Sequence, residues 1–422
     1  MAELAASLGA LQIDRGTCLG FADDPFQIPF CPSGNLATEL DNTPRYLFRV
    51  YSRNSSGENN TQWMKSPAAL ENNLTDIFAR DDAANVATVL NEHLRWWPKS
   101  CADPFISWTT SLLFAIQYII YKHKTEGTEL QRMHLCIVDT TMFPKGVFIR
   151  DLDLMEEFHD KVPNGQERGL QNYLNLRTKR YSPNSGAYYF GEFLSQGQTN
   201  IKTKGRSSTV TCDKIVKDEL FTILPQFRVE MERDSKEARL AKAVMECRKP
   251  FYVDTEREPT RASDVGKAMT IASRFGTEWS LPVLANLLAL RPRRAHDPGI
   301  LGPISTLFPN ELRHSFSSKN TTVAANENTP EVLQFGKIIH DIHEDYWVES
   351  IYVLSRSIEE TTELARRFTA NPRLTAAFRF RGNGNPAAYL YRIERGRLSL
   401  LMQSLETLSG MIQECQEGGN AI

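Results

Sequence analysis

The sequence has little of what marks a membrane-spanning, exported or polyanion-coating protein. Its longest apolar runs, Leu112–Ile120 and Leu281–Leu290, fall far short of the ~20 residues that cross a bilayer. No membrane partner is expected. Met1 to Gly20 carry Glu3, Asp14 and Arg15 around a weak Ala/Leu stretch, with neither a basic n-region nor a strong apolar h-region, so export by a signal peptide is not expected. An excess of one charge sign is also missing: 49 Lys+Arg against 51 Asp+Glu leave a net charge of −2, and any acidic partner must be met by a local patch. Seven cysteines are scattered without CxxC or CxH spacing, which predicts reduced thiols and a cytoplasmic or nuclear location. HExxH, GxxxxGK[ST] and a strand-borne GxGxxG are absent, which leaves zinc peptidase, P-loop and Rossmann readings without their signatures.

What remains is an ordinary globular composition in a long chain. At 422 residues, 41% hydrophobic and 24% charged, two or three domains with sizeable cores are expected. Residues 1–42 hold Gly and Pro without periodicity and read as an irregular N-terminal arm. From Tyr46 the texture changes. Leu47 to Tyr51 is a β-type run closed by the Asn54-Ser55-Ser56-Gly57 turn, and Leu74–Trp97 has roughly helical spacing ended by Pro98. Ile106–Thr109 reads as a strand, Leu112–Lys122 as an apolar helix, and HLCIVD at His134–Asp139 as the strongest buried-strand signal. A short helix is predicted at Asp151–Phe158. The polar, basic stretch Arg177–Gly186 reads as a loop feeding a strand at Ala187–Leu194, and further strands are predicted at Ile201 and Thr209-Val210. Beyond Arg228 the pattern is helical: Lys236–Cys247, Ala262–Phe275, Leu281–Leu290, Glu331–Ser355, Ile358–Phe368 and Pro386–Ile412. These readings divide the chain into the arm, an α+β domain over 43–229 with split antiparallel sheets and helices, and an all-α domain over 230–422. Within the last, a Pro/Ser/Asn-rich connection is expected near 291–330.

Three phrases of the α+β region come in a suggestive order: LFRVYS with Arg49, SWTTSLLFA with Thr109, Thr110 and Ser111, and YFGEFLSQG with Glu192. Together they resemble the Arg-Ser-Glu branch of the ADP-ribosyltransferase superfamily, over roughly Tyr46–Arg228. In that family an arginine ends the first core strand, a Ser-Thr-Ser-like triplet ends another and opens a helix, and a glutamate begins a later strand after an acceptor-recognition loop. The same phrases are similar to those of a group of fungal proteins. The resemblance implies NAD as a substrate and an ADP-ribosyltransferase-like fold. Glu192, with Thr109 and Ser111, would be catalytic, while Arg49, Thr110, Tyr51, Tyr189 and Phe193 would bind the dinucleotide. No metal site is implied.

The residue types suit that chemistry. A carboxylate beside the ribose steadies the oxocarbenium-like transition state of nicotinamide loss. A guanidinium matches phosphate oxygens with a planar fork of donors. Small hydroxyls can orient the carboxylate without filling the pocket, and an aromatic near the site can stack on the nicotinamide ring. Taken singly, the same residues read as a strand charge, a helix N-cap and a surface carboxylate. Phe190 stands where arginine-modifying relatives carry a second Glu or Gln, which argues against guanidinium as the acceptor.

The reading is therefore an intracellular NAD-cleaving enzyme, either a mono-ADP-ribosyltransferase acting on a macromolecular acceptor or an NAD glycohydrolase. The alternative is a catalytically silent recognition or adaptor module of the same fold. Two weaker signals stand apart. His340 and His343 lie three residues apart on a helix, half of a metal site or, more simply, part of a solvated acidic face. Arg373, Arg379, Arg381, Arg392, Arg395 and Arg397, against one glutamate, could meet an acidic or nucleic-acid partner.

Overall fold

The computed structural model describes residues 27–97, 102–161, 169–180, 186–203, 205–317 and 319–370, with single positions 400, 403 and 407. The Arg373–Arg397 patch lies outside the described residues, as does most of the helix expected over Pro386–Ile412. Contacts divide the chain into two units, Met1–Ile342 and His343–Ile422.

The first unit is mixed α+β, with antiparallel sheets and helices. After a short helix α1 (Asn35–Glu39), strand β1 (Tyr46–Ser52) leads to the hairpin β2 (Glu58–Asn59) and β3 (Trp63–Lys65) and the turn-length α2 (Pro67–Leu70). Helix α3 (Ala83–Leu94) precedes β4 (Phe105–Thr109), α4 (Leu112–Glu126), β5 (Met133–Asp139), β6 (Ile149–Arg150), α5 (Asp151–Phe158) and α6 (Leu170–Thr178). Strands β7 (Glu192–Gln196), β8 (Gln198–Asn200) and β9 (Ser207–Thr211) close the β region. The main sheet has the order β6-β7-β4-β1-β5-β9, and a second sheet the order β2-β3-β8.

Period-two alternation sets the two faces of the main sheet. Tyr46, Phe48 and Val50 of β1 join Leu135 and Ile137 of β5 against α4, whereas Leu47, Tyr51, Cys136 and Val138 face the other way, toward Met64 and Ile201 of the second-sheet region. Helix α4 begins where Ser111 accepts the Phe114 N–H and ends at Gly127 in the left-handed region, a start and stop that need no tertiary help. Beneath β4, β6 and β7, a further cluster joins α1, α3, α5 and α6. Part of the expected N-terminal arm contributes to it: Phe30 and Leu36 are buried there.

Helices α7 (Asp218–Ile223), α8 (Gln226–Glu232), α9 (Ala241–Arg248), α10 (Ala262–Ala272) and α11 (Thr277–Leu288) follow. Residues of α7, α10 and α11 share one continuous core with α4 and β1, so no break in packing falls at residue 230. The stretch near 291–330, read as a connection, contains two helices, α12 (Pro298–Leu307) and α13 (Asn310–Ser315). The prolines misled the reading: Pro298 occupies the first turn of α12, where Asp297 caps the Gly299 N–H and a missing N–H costs nothing. The two helices expected at Glu331–Ser355 and Ile358–Phe368 are one, α14 (Pro330–Thr369). The strand expected at Ala187–Leu194 begins only at Glu192.

The described part of the second unit is helical. There Trp347 Nε1 donates to His343 Nε2 at 2.9 Å. Among the described residues no helix is long and apolar enough to cross a membrane. Cys136, Cys212 and Cys247 are free and buried, while Cys31 is disulfide-bonded, which corrects the expectation that every thiol is reduced; spacing along the chain cannot reveal a pairing made in space.

Candidate functional site

Strands β7, β4 and β1 lie side by side. β4 and β7 pair along their length, with Thr109 opposite Glu192, but β1 and β4 share only the Phe48–Thr109 position. Where they part, a cavity of about 560 Å³ opens, within the 300–1,000 Å³ typical of ligand sites. Arg49, Thr109 and Glu192 all line it, together with His93, Asp103, Ser107, Trp96, Trp97, Phe114, Tyr118, Lys122 and Glu126.

Arg49 is the fourth residue of β1 rather than its last. Its guanidinium bridges the gap: Nη1 donates to the Ser107 carbonyl at 2.6 Å, while Nη2 and Nε reach Asn59 Oδ1 at 2.8 and 3.2 Å. No carboxylate pairs with it among the described residues. Burial pulls its pKa down to about 10, the mark of a cation short of counter-charge.

Glu192 opens β7 and is held on both sides. Oε1 accepts the Ser107 hydroxyl at 2.7 Å, and Oε2 accepts Arg177 Nη2 at 2.8 Å. Behind Ser107, His93 Nε2 lies 2.7 Å from Oγ, and His93 Nδ1 lies 2.6 Å from Asp103 Oδ2. Arg177 also pairs with Asp151 at 2.5 Å and bonds the Tyr173 hydroxyl at 2.9 Å. Both Arg177 and Asp151 are sealed from water, with 3% and 0% of their side chains exposed. Burial, with a contribution from Glu192, lifts the Asp151 carboxyl to about 7 against the pull of Arg177: two carboxylates share one cation.

The backbone entering Glu192 is fixed by the residues that precede α4. Thr109 Oγ1 donates to the Phe190 carbonyl at 2.6 Å, and Thr110 N–H donates to the Gly191 carbonyl at 2.8 Å. Gly191 has φ of 66°, and a Cβ there would meet Thr110 Oγ1 at 2.1 Å, so this bend requires glycine. A buried pair braces it from below. Arg248 binds Glu331 through two bonds of 2.9 and 2.6 Å and donates to the Tyr189 carbonyl at 2.5 Å. Glu331 also accepts the Ser111 hydroxyl at 2.5 Å.

Several sequence expectations are thereby corrected. Ser111 is fully buried on Glu331 and caps α4, and Thr110 bonds the Gly191 carbonyl region; neither lines the cavity. Ser107, two residues before Thr109 and on the same face of β4, is the hydroxyl that reaches Glu192, while the Thr109 hydroxyl is engaged by the Phe190 carbonyl. Tyr51 stacks on His134 at 5.1 Å. Tyr189 and Phe193 line a separate pocket of about 230 Å³ with Arg150 and Asp153. None of these three aromatics reaches the larger cavity. Trp96, Trp97, Phe114 and Tyr118 line it instead, and Trp96 sits at φ 57°, a strained setting for a bulky residue. Arg177, read as part of an acceptor loop, turns inward to Glu192; residues 181–185 of that loop lie outside the described residues. Alternation marks Ser107 and Thr109 alike as facing Glu192. His93 had no local signal, since it comes from a different element.

Residues 42–178 match a family described as a domain of unknown function, DUF7587, while no curated protein and no solved structure matches the chain. That match covers Arg49, His93, Asp103, Ser107, Thr109 and Arg177 and stops short of Glu192, so what the chain is similar to includes most of the cavity wall.

Proposed function

We propose that the cavity binds a dinucleotide of the NAD type and that Glu192 assists cleavage of its nicotinamide-ribose bond, as in an ADP-ribosyltransferase-like enzyme. One observation carries the reading: Arg49, which pairs with no carboxylate among the described residues, and Glu192, an oriented carboxylate, share the wall of a single cavity of about 560 Å³. A largely buried guanidinium with no carboxylate bonded to it is stabilised by an incoming phosphate. The carboxylate, held by Ser107 and Arg177, steadies positive charge as it grows on the ribose. The ribosyl group then passes to a macromolecular acceptor or to water.

The test is release of nicotinamide from NAD by the purified full chain, alone and with cell lysate, beside Glu192→Ala. Turnover lost in the variant supports the reading; no turnover under either condition sinks it.

A second reading is favoured by one feature. Arg177 already neutralises Glu192 at 2.8 Å, as suits a recognition module that binds a nucleotide and leaves it intact. Calorimetric titration separates the two: binding of NAD with no nicotinamide released selects the silent module.

A further inference from the structure

Four groups on the cavity wall form one chain: Asp103 Oδ2 to His93 Nδ1 at 2.6 Å, His93 Nε2 to Ser107 Oγ at 2.7 Å, and Ser107 Oγ to Glu192 Oε1 at 2.7 Å. Three hydrogen bonds need three hydrogens, one in each gap. With both carboxylates ionised, a neutral imidazole supplies one and the serine hydroxyl supplies one. The remaining gap would then hold facing lone pairs. The chain is complete only when it carries one proton more, seated on His93, on Glu192 or on Asp103.

The surrounding charges choose the seat. Glu192 Oε2 accepts Arg177 at 2.8 Å, which favours the carboxylate form there. Asp103 Oδ1 accepts the Phe105 N–H at 3.0 Å, which favours the carboxylate form at the other end. The imidazolium between them is then flanked by negative charge on both sides. Among the described residues, the other charged or titratable groups around the chain are Arg49 on β1, Tyr118, Lys122 and Glu126 on α4, Asp151 on α5 and Tyr173 on α6. Lys122 and Glu126 pair with each other at 2.9 Å, and Arg177 lies between Asp151 and Glu192.

We propose that His93 is a positioning residue for Glu192: set between Asp103 and Ser107, it holds the single proton that completes the chain, so that Glu192 stays an oriented carboxylate facing the cavity. The proposal deepens the reading of Glu192 as the group that steadies the ribosyl cation, and rests on it for its catalytic meaning. Movement of the proton is balanced within the chain. The His93 Nε2–H bond breaks as a new Ser107 O–H bond forms, while the former Ser107 O–H bond breaks as a proton joins Glu192 Oε1. Without that proton the Ser107 hydroxyl can serve either His93 or Glu192 but not both, and the carboxylate loses its fixed orientation.

The test reads protons directly. Ring nitrogens of the full chain labelled with ¹⁵N-histidine are observed by NMR at neutral pH, with His93→Gln identifying the His93 signals. In the wild type both His93 nitrogens are expected to carry protons. In Asp103→Asn the new amide donates to Nδ1, so the ring is expected as the neutral Nε2–H tautomer. In Glu192→Gln the new amide donates to Ser107 Oγ, the hydroxyl turns to His93, and the opposite tautomer, Nδ1–H, is expected. A singly protonated wild-type ring, or the same tautomer in both variants, overturns the proposal. A second readout is the split between kcat and KM for nicotinamide release: His93→Gln should lower kcat while KM for NAD changes less than about twofold, and an unaltered kcat counts against the proposal. The two ideas fail separately. Opposite tautomers without any nicotinamide release leave the proton chain standing and refute the enzymatic reading; release with a singly protonated His93 does the reverse.

Discussion

Replacing Arg49 by methionine should separate stability from ligand binding. Burial pulls this guanidinium down to about 10, which disfavours the cation by about 3 kcal/mol relative to water. The bonds to Asn59 and the Ser107 carbonyl offset this, since hydrogen bonds from a charged donor contribute about 1.5–3 kcal/mol each. Methionine removes both effects and keeps much of the apolar stem packed near Trp108, whose ring centre lies 5.9 Å from the guanidinium carbon. The net change in unfolding free energy should therefore stay within about 2 kcal/mol, unlike the ~3–5 kcal/mol lost when one member of a buried ion pair is removed. Affinity for a pyrophosphate-bearing ligand should fall by about 2–3 kcal/mol, some 30- to 150-fold, as charge-assisted phosphate contacts vanish. Urea unfolding and calorimetry with ADP-ribose on the same preparations measure both. A variant that unfolds by more than about 3 kcal/mol more easily, yet binds ADP-ribose unchanged, would refute the assignment of Arg49 to an anion.

Other expectations follow from the supports of the site. Glu331→Gln leaves Arg248, which has no exposed surface, without its carboxylate; a loss of about 3–5 kcal/mol in urea unfolding is expected, and a loss below about 1 kcal/mol would show that the pair does not brace the bend. Gly191→Ala combines a left-handed backbone with a contact to Thr110 Oγ1 and should lower stability by about 2–4 kcal/mol; a melting temperature equal to the wild type's would contradict that geometry. Asp151 gives a pH signature. Its carboxyl is raised from 3.8 to about 7 by burial, so between about pH 4 and pH 7 the folded chain keeps a proton that the unfolded chain has released. This group's contribution to stability falls as pH rises through that window. The stability of Asp151→Asn relative to the wild type should accordingly rise by roughly 2–4 kcal/mol from pH 4.5 to pH 7.5, and a difference that is flat with pH would refute the assignment.

What could be read from the amino-acid sequence depended on how local each signal was. The β1 run, the HLCIVD strand and the Ser111-capped helix carry their own alternation, caps and stops, and the structure has all three. Arg49 and Glu192, singled out by the order of their phrases along the chain, both line the cavity. The hydroxyl that binds Glu192 was misplaced by two residues: Thr109 lies opposite Glu192 but spends its hydroxyl on the Phe190 carbonyl, and Ser107, on the same face, bonds the carboxylate. Arg177 reaches the carboxylate from α6 and His93 reaches its Ser107 partner from α3, and nothing in a linear pattern announces contacts made by three separate elements. The aromatic residues failed for the same reason. Tyr51 shares its face of β1 with Arg49 but stacks on His134, and Phe193 packs beside it in the same cluster, so neither lines the cavity, whereas Trp96 and Trp97 lie beyond the end of α3 with no pattern to select them.

The most direct test of the central claim is an experimental structure of the full chain with ADP-ribose bound. The account expects the pyrophosphate within hydrogen-bonding distance of the Arg49 guanidinium and the reacting ribose carbon facing the Glu192 carboxylate, in the gap where β1 and β4 part. An empty cavity at saturating ligand, or a nucleotide seated elsewhere on the molecule, would contradict it.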